Sequence, residues 1–309
     1  MLTFVAEFLF TLKLYCMKKQ FFSLIKVCVC GVMLLAGAVS CEKMNVEDAD
    51  GESKANVVLR IGSVEQVPFE MARTRGRDVN GVCSRLNFLV YQDGERIRQI
   101  SQTSEDADFG EAQIQLPEGR FFLVVLAHSS SGNPTSTNAN KIGFTNTTGF
   151  TDTFFYGDSL IVENEDVTRT LELKRITAMV RFIPYDEIPS QAGRIRFYYT
   201  GGSGTLDAGD DGWGVVNSKQ SQWFDLTHNE EKFEIYTIPH GNDDELTVTA
   251  QTYKSQTDAI ATERKIEGIP VLRNHITICR GYLFSPVYQM DYEITIDDRW
   301  SADSLYFDF

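Results

Sequence analysis

The 309-residue sequence lacks every short motif that marks a common catalytic centre. It contains no Gly-x-Ser-x-Gly elbow, no phosphate-binding loop, no dinucleotide fingerprint and no His-Glu-x-x-His pair. Its four histidines, His128, His228, His240 and His275, are widely scattered. Carboxylates are abundant, but no spacing selects one pair for glycosidase work. The reading is therefore a non-enzymatic protein with no catalytic residue, no metal ligand set and no cofactor. Positive charge is scarce as well: 29 Lys+Arg face 43 Asp+Glu, a net charge of -14. Long apolar runs are missing, since the longest, Val27 to Val39, has 13 residues and is too short to span a bilayer as a helix. Helical periodicity is almost absent.

What the N-terminus does carry is an export signal. Met17-Lys18-Lys19 precedes the uncharged stretch Val27 to Val39, and Ala38-Val39-Ser40-Cys41 closes it with small residues and a thiol. This fits a lipoprotein signal peptide over residues 1–40, with Met17 as the expected true start, cleavage between Ser40 and Cys41, and diacylglyceryl and palmitate lipid on Cys41. Ala38 stands where such boxes usually have Leu. Lys13, Lys18, Lys19 and Lys26 interrupt the alternative, an uncleaved membrane anchor.

Cleavage would take away four of the 29 basic and one of the 43 acidic residues, leaving 25 against 42 and a net charge of -17. Nucleic acid is then excluded as a partner, because it requires basic patches that release counterions. An anionic lipid surface is a poor partner for the same reason, so contact with a membrane is expected only through lipid on Cys41. Of the six cysteines, only Cys83 and Cys279 remain beyond Cys41. Two cysteines do not make a disulfide framework, and their separation in sequence argues against a bridge.

Residues 41–56 are acidic and without apolar periodicity, as expected of a flexible tether behind the lipid. From Val57 onward the pattern is short strands punctuated by Gly, Pro and Asp. Leu86 to Tyr91 and Arg96 to Ile100 flank Asp93-Gly94, a hairpin signal because both turn residues tolerate positive φ. A second hairpin is expected from Ala112–Leu116 through Pro117-Glu118-Gly119 into Arg120–Ala127, whose unbroken apolar run suits a doubly buried strand. Residues 128–140 (HSSSGNPTSTNAN) have no core-forming side chain and read as an exposed loop, a candidate contact surface. Near residue 175 the pattern restarts: Val167 to Leu173 reads as a closing strand and Ile176 to Ile183 as an opening one, stopped by Pro184. Two tandem antiparallel β-sandwiches follow, 57–175 and 176–309, the second with a glycine-rich loop from Gly201 to Gly214.

Four features invite a functional reading. Asp207-Ala208-Gly209-Asp210-Asp211-Gly212 resembles a calcium loop, but Gly209 has no ligand and no bidentate Glu follows, so a glycine-rich turn is expected. Trp213, Trp223 and Trp300 would suit a sugar-binding face, although aromatics in all-β proteins more often fill cores. Arg73-Thr74-Arg75-Gly76-Arg77 is the one basic cluster, expected in an exposed connection between the first two strands where a trypsin-like protease could cut. In the tail, residues 301–309, alternation places Leu305, Phe307 and Phe309 on one face, either as the domain's own last edge strand or as a strand donated to a neighbour.

Taken in order, Cys41, Leu86 to Gly94, Leu173 to Phe182 and Arg273-Asn274-His275-Ile276-Thr277 leading to Arg280-Gly281 resemble the fimbrillin superfamily of Bacteroidota, and within it the FimB and minor-fimbrium anchor lipoproteins. The resemblance spans nearly the whole exported chain through loose, strand-like motifs. It implies all-β architecture with two transthyretin-like sandwiches, in a surface-exposed lipoprotein of a type V pilus used in cell adhesion. In such pili an arginine-specific protease removes the first strand of stalk subunits and a neighbour's C-terminal strand fills the groove, while anchors keep their lipid. Partners implied are other fimbrial subunits by β-strand exchange, with host or bacterial surface ligands as further candidates. On this mapping Val57 to Val64 is the first strand, Arg73, Arg75 and Arg77 mark the protease-exposed connection, and Leu305, Phe307 and Phe309 face the groove from a donor strand. The Arg-rich connection suits a cleavable stalk or tip subunit as well as an uncut anchor. The alternative function is a surface glycan-binding lipoprotein of a polysaccharide-uptake system, with Trp213 or Trp223 at its site; a lipoprotein hydrolase has only carboxylate abundance behind it.

Overall fold

Period-two alternation over most of the chain produces strands almost everywhere. The structure, a computed structural model, describes residues 55–65, 79–227, 229–285 and 292–297, and these contain two 3-10 turns, Val79–Gly81 and Ala208–Asp210, and no longer helix. Among the described residues no helix is long and apolar enough to cross a membrane. The first half contains β1 (Val57–Val64), β2 (Arg85–Gln92), β3 (Glu95–Thr103), β4 (Glu111–Ile114), β5 (Gly119–His128), β6 (Thr135–Asn138), β7 (Lys141–Gly143), β8 (Thr153–Val162) and β9 (Val167–Arg175). The second contains β10 (Ala178–Pro184), β11 (Ala192–Thr200), β12 (Thr205–Asp207), β13 (Trp213–Gly214), β14 (Gln220–Asp225), β15 (Phe233–Thr237), β16 (Asp244–Lys254), β17 (Ile260–Val271), β18 (Ile276–Gly281) and β19 (Tyr292–Asp297).

Eleven strands form one hydrogen-bonded succession, β13-β12-β7-β6-β3-β2-β5-β8-β9-β1-β4. The β8–β9 step is held by only two pairs, Phe154↔Arg175 and Phe155↔Lys174, and there the succession turns into a second layer. Val57, Leu59 and Val64 of β1, Ala112 and Ile114 of β4 and Leu171 and Leu173 of β9 share a core with Leu86, Phe88, Val90, Leu123, Val125, Phe154 and Leu160 across the gap. In the second half, the sheets β15-β10-β18-β19 and β14-β11-β16-β17 enclose a core that includes Val180, Phe182, Ile195, Phe197, Val248, Ile269 and Cys279. Phe197 lies 4.8 Å from Phe182 and 5.6 Å from Phe233 between ring centroids, within the range of favourable aromatic pairs.

The Asp93-Gly94 hairpin forms as its sequence predicts. Asp93 at φ 52° and Gly94 at φ 84° make the two-residue turn, with Gln92 opposite Glu95. β5 is buried along nearly its whole length, because Leu123 and Val125 face one core while Val124 and Leu126 face another.

Three expectations are corrected. The proposed second hairpin does not exist: β4 pairs with β1, whereas β5 pairs with β2 and β8. Leu116-Pro117-Glu118 crosses between layers, and Pro117 cannot donate to a ladder. Residues 128–140 are not an exposed loop, for β6 joins the succession and His128, Ser130, Ser136 and Ala139 are buried. Polar groups there are satisfied internally: the Tyr91 hydroxyl donates to the Ser136 carbonyl at 2.8 Å, and Asn87 Nδ2 donates to Asn133 Oδ1 at 3.0 Å. Nor are the sandwiches wholly antiparallel, since β1 runs parallel to β9 and β10 parallel to β18.

The glycine-rich segment after Gly201 is also more than a loop. β12 pairs with β7 of the first half, and Leu206 and Ala208 pack with Leu89, Tyr91, Val124 and Leu126. A side chain at Gly202 would place its Cβ 2.0 Å from Thr237 Oγ1, so the backbone can approach that closely only without one. Where β9 hands over to β10, the Arg175 side chain is 3% exposed; Nε and Nη2 bind Asp152 at 2.8 and 2.9 Å, and Nη1 donates to Asn274 Oδ1 at 2.9 Å. Thr177 Oγ1 adds a bond to Asp152 at 3.0 Å, so the halves are joined by a buried polar clamp.

Candidate functional site

β1 is the first described strand, and its position defines the site. Val57 and Leu59 are fully buried and Val64 is buried at the far end, while Arg60 points outward, where Nε bonds Glu111 Oε2 at 2.8 Å. This is the alternation expected of a strand with one face on a core.

The strand is interior to its layer. On one side seven of its residues register with β9, from Val57↔Val167 to Val64↔Leu173; on the other, four register with β4, from Val57↔Ile114 to Arg60↔Glu111. Among the described residues β4 pairs with no other strand. Between Ile61 and Ser63 the register shifts at Gly62, where an added Cβ would stand 2.3 Å from Thr170 Cγ2. Glycine therefore lets the β1 backbone pass a β-branched neighbour at the bulge.

Both ends are fastened. Asn56 donates from Nδ2 to the Leu116 carbonyl at 2.8 Å and accepts the Leu116 N–H at 2.9 Å, while its own carbonyl accepts from Val167 N. Asn56 thus belongs to the fold, which moves the end of the expected 41–56 tether back by at least one residue. At the other end Glu65 N donates to the Leu173 carbonyl at 2.7 Å, and Glu65 Oε2 accepts from Arg175 N at 3.2 Å. Neither Asn56 nor Glu65 stands out in the sequence, because their partners lie 60 and 110 residues away.

The remaining predicted site residues, Ser40, Cys41, Arg73, Arg75, Arg77, Leu305, Phe307 and Phe309, lie outside the described residues, as does Trp300. By chain order the Arg cluster falls within the connection 66–78 that joins β1 to Val79. Cys83 and Cys279 are unpaired and sit in separate cores, where burial pushes each thiol up to about 12. Both stay protonated at neutral pH, unlike a reactive cysteine.

The calcium-like segment is occupied by local bonds. Asp207 Oδ1 accepts from Gly209 N at 2.8 Å, Asp211 adopts φ 48°, and Arg273 Nη1 reaches Asp211 Oδ2 at 3.2 Å. The same guanidinium lies 3.6 Å from the Trp213 ring centroid, which covers one face of that indole. Trp223, by contrast, is 46% exposed on β14.

The sequence matches no family model, and no curated protein sequence matches it. Among solved structures the chain is similar to a Bacteroides ovatus chain provisionally described as a cell adhesion protein, at 12% identity and a TM-score of 0.48, covering 82% of this chain and 100% of that one. It is similar also to the fimbrial anchor protein Mfa2 of Porphyromonas gingivalis, at 11% identity and a TM-score of 0.41, covering 78% and 96%. A third similarity is to the tip fimbrial protein Mfa3 of the same organism, at 12% identity and a TM-score of 0.38, covering 78% and 99%.

Proposed function

We propose that this protein is a surface-exposed outer-membrane lipoprotein, tethered through Cys41, that serves as an anchor or accessory subunit of a fimbrium assembled by β-strand exchange. It takes two tandem transthyretin-like domains, 57–175 and 176–309, to that task and no catalytic residue. The observation that carries this reading is the placement of β1: the first described strand, interior to its layer, bracketed by β4 and β9. Losing it would leave two open edges and an apolar trough, both costly in water, and an extended segment from another subunit would satisfy them together.

Chain order then ties two properties to one bond. Cys41 and β1 both precede Arg73, Arg75 and Arg77, so a cut in that connection separates lipid and first strand together from the rest. A subunit that keeps its lipid keeps its groove filled; it can donate a strand but not accept one, and so ends a fibre. A cut subunit can accept one and belongs to the stalk or tip. The alternating Leu305, Phe307 and Phe309 have the spacing of Val57, Leu59 and Ile61, as a donor strand for such a groove requires.

Mass spectrometry of protein purified from the cell surface tests the assignment. The expected species is lipid-modified at Cys41 and co-purifies with fimbriae. Recovery as a soluble, unlipidated monomer apart from fimbriae would sink the reading, and an N-terminus just after Arg73, Arg75 or Arg77 would reassign the subunit from anchor to stalk or tip.

A further inference from the structure

The outer face of the sheet β14-β11-β16-β17 carries a polar and aromatic cluster that strand exchange does not use. Register sets Trp223 of β14 opposite Arg196 of β11, and Arg196 opposite Gln251 of β16. The neighbouring row is Asp225, Arg194 and Tyr253. Alternation alone puts these side chains on the side away from Ile195, Phe197 and Tyr199, which fill the core.

The two arginines are in different states. Arg194 chelates Asp258, with Nη2 at 2.5 and 2.7 Å from the two carboxylate oxygens, and its guanidinium carbon lies 4.4 Å from the Trp223 ring centroid. Its charge is answered within the protein. Arg196 is held by one bond, Nε to Ser221 Oγ at 2.8 Å, and lies 5.2 Å from the Tyr198 ring and 5.6 Å from Trp223. No carboxylate of the described residues bonds it, so the rest of its planar fork is left to donate outward. Tyr253, 5.1 Å from Trp223, and the Arg194 guanidinium pack against an indole that remains 46% exposed.

We infer that this face binds an acidic pyranose, a uronic acid residue of a polysaccharide. The open indole offers a flat apolar surface for the C–H face of a sugar ring, and the adjacent free fork offers the bidentate donors that a carboxylate takes best. A neutral sugar would leave that fork without an anionic acceptor, and an isolated anion would leave the indole uncovered. Charge complementarity is local: in a chain of net charge -14, Arg196 is a cation that no carboxylate of the described residues bonds, next to the exposed ring. The inference does not depend on fibre assembly.

Titration calorimetry and tryptophan fluorescence of the full exported chain with a galacturonate trisaccharide, beside the neutral galactose trisaccharide, provide the test. Saturable binding of the acidic sugar alone is expected, with about a tenfold loss on Arg196→Gln and a comparable loss on Trp223→Ala. Trp223→Phe, which keeps an aromatic ring, should retain part of the affinity, and unchanged melting temperatures show that the fold survives each substitution. Absence of saturable binding, equal binding of the neutral trisaccharide, or binding indifferent to either the Arg196→Gln or the Trp223→Ala change would overturn the proposal.

Discussion

The two halves place their first strands alike and hold them differently. β1 lies between antiparallel β4 and parallel β9; β10 lies between antiparallel β15 and parallel β18. Yet β10 is bound into the chain on both sides, following the Arg175 clamp and running through Pro184 toward β11. Freeing it would take two cuts, whereas one cut within 66–78 separates β1 from everything that follows. The pairing pattern is the same in both halves, and position in the chain distinguishes the two strands: on the proposed function β1 is the removable one.

The widest break in this comparison would come from a chain starting at Val79. It lacks Val57, Leu59 and Val64 from the core, each contributing about 1.5–3 kcal/mol on burial, together with the ladders to β4 and β9. Hydrogen exchange should show protection lost over β2, β5, β8 and β9 and kept in β11 and β16. Uniform loss across both halves would mean that they do not differ in the way proposed.

Next in size is the clamp that joins them. Arg175→Ala leaves Asp152 partly buried without its cation and should cost about 3–5 kcal/mol in urea unfolding. It should also split one transition into two, a change that Arg60→Ala on the exposed face should not produce.

A pH difference should separate the halves too. His128 is fully buried, accepting from Ser130 N at its Nδ1 and donating from Nε2 to Asn87 Oδ1 at 2.9 Å, and burial lowers its pKa to about 4. An unfolded histidine titrates near 6.5, so between these values the unfolded chain holds the extra proton. Stability of the first half is fully present above about pH 6.5 and falls as pH drops toward about 4, by up to about 3 kcal/mol. Denaturant titrations across that window should show the slope in the native chain and not in His128→Gln. The smallest effect is expected at the β2–β3 turn, where Gly94→Ala at φ 84° should lower stability by about 1 kcal/mol, read as a small shift in urea midpoint.

How much of this was legible in the sequence depended on range. Alternation and Asp93-Gly94 located β2 and β3, and the apolar run located β5, because each signal is complete within a dozen residues. The bounds of β1 also followed from its own pattern. Its flanking strands did not, since a parallel partner more than 100 positions away leaves no local mark. The partner of β4 is hidden for the same reason: proximity along the chain favours a hairpin with β5, whereas the chain crosses at Pro117 to the other layer. Residues 128–140 read as a loop because their burial rests on hydrogen bonds to Tyr91 and Asn87, which leave no apolar pattern in the sequence. Of the candidate site, Asn56 and Glu65 were invisible for want of their distant partners. Trp223 stands out in the sequence as one of three tryptophans, but Arg196 beside it emerges only from cross-strand register.

If β1 is an exchangeable part of the first half, a cut in the connection that follows it releases the strand. Arginine-specific proteolysis of the exported chain, followed by incubation with a labelled peptide of residues 55–65 and native mass spectrometry, measures this directly. The account predicts that cut protein exchanges its strand for the labelled peptide in a one-to-one complex while uncut protein takes up none. Cut protein that binds no peptide, or uncut protein that binds it equally well, would contradict it.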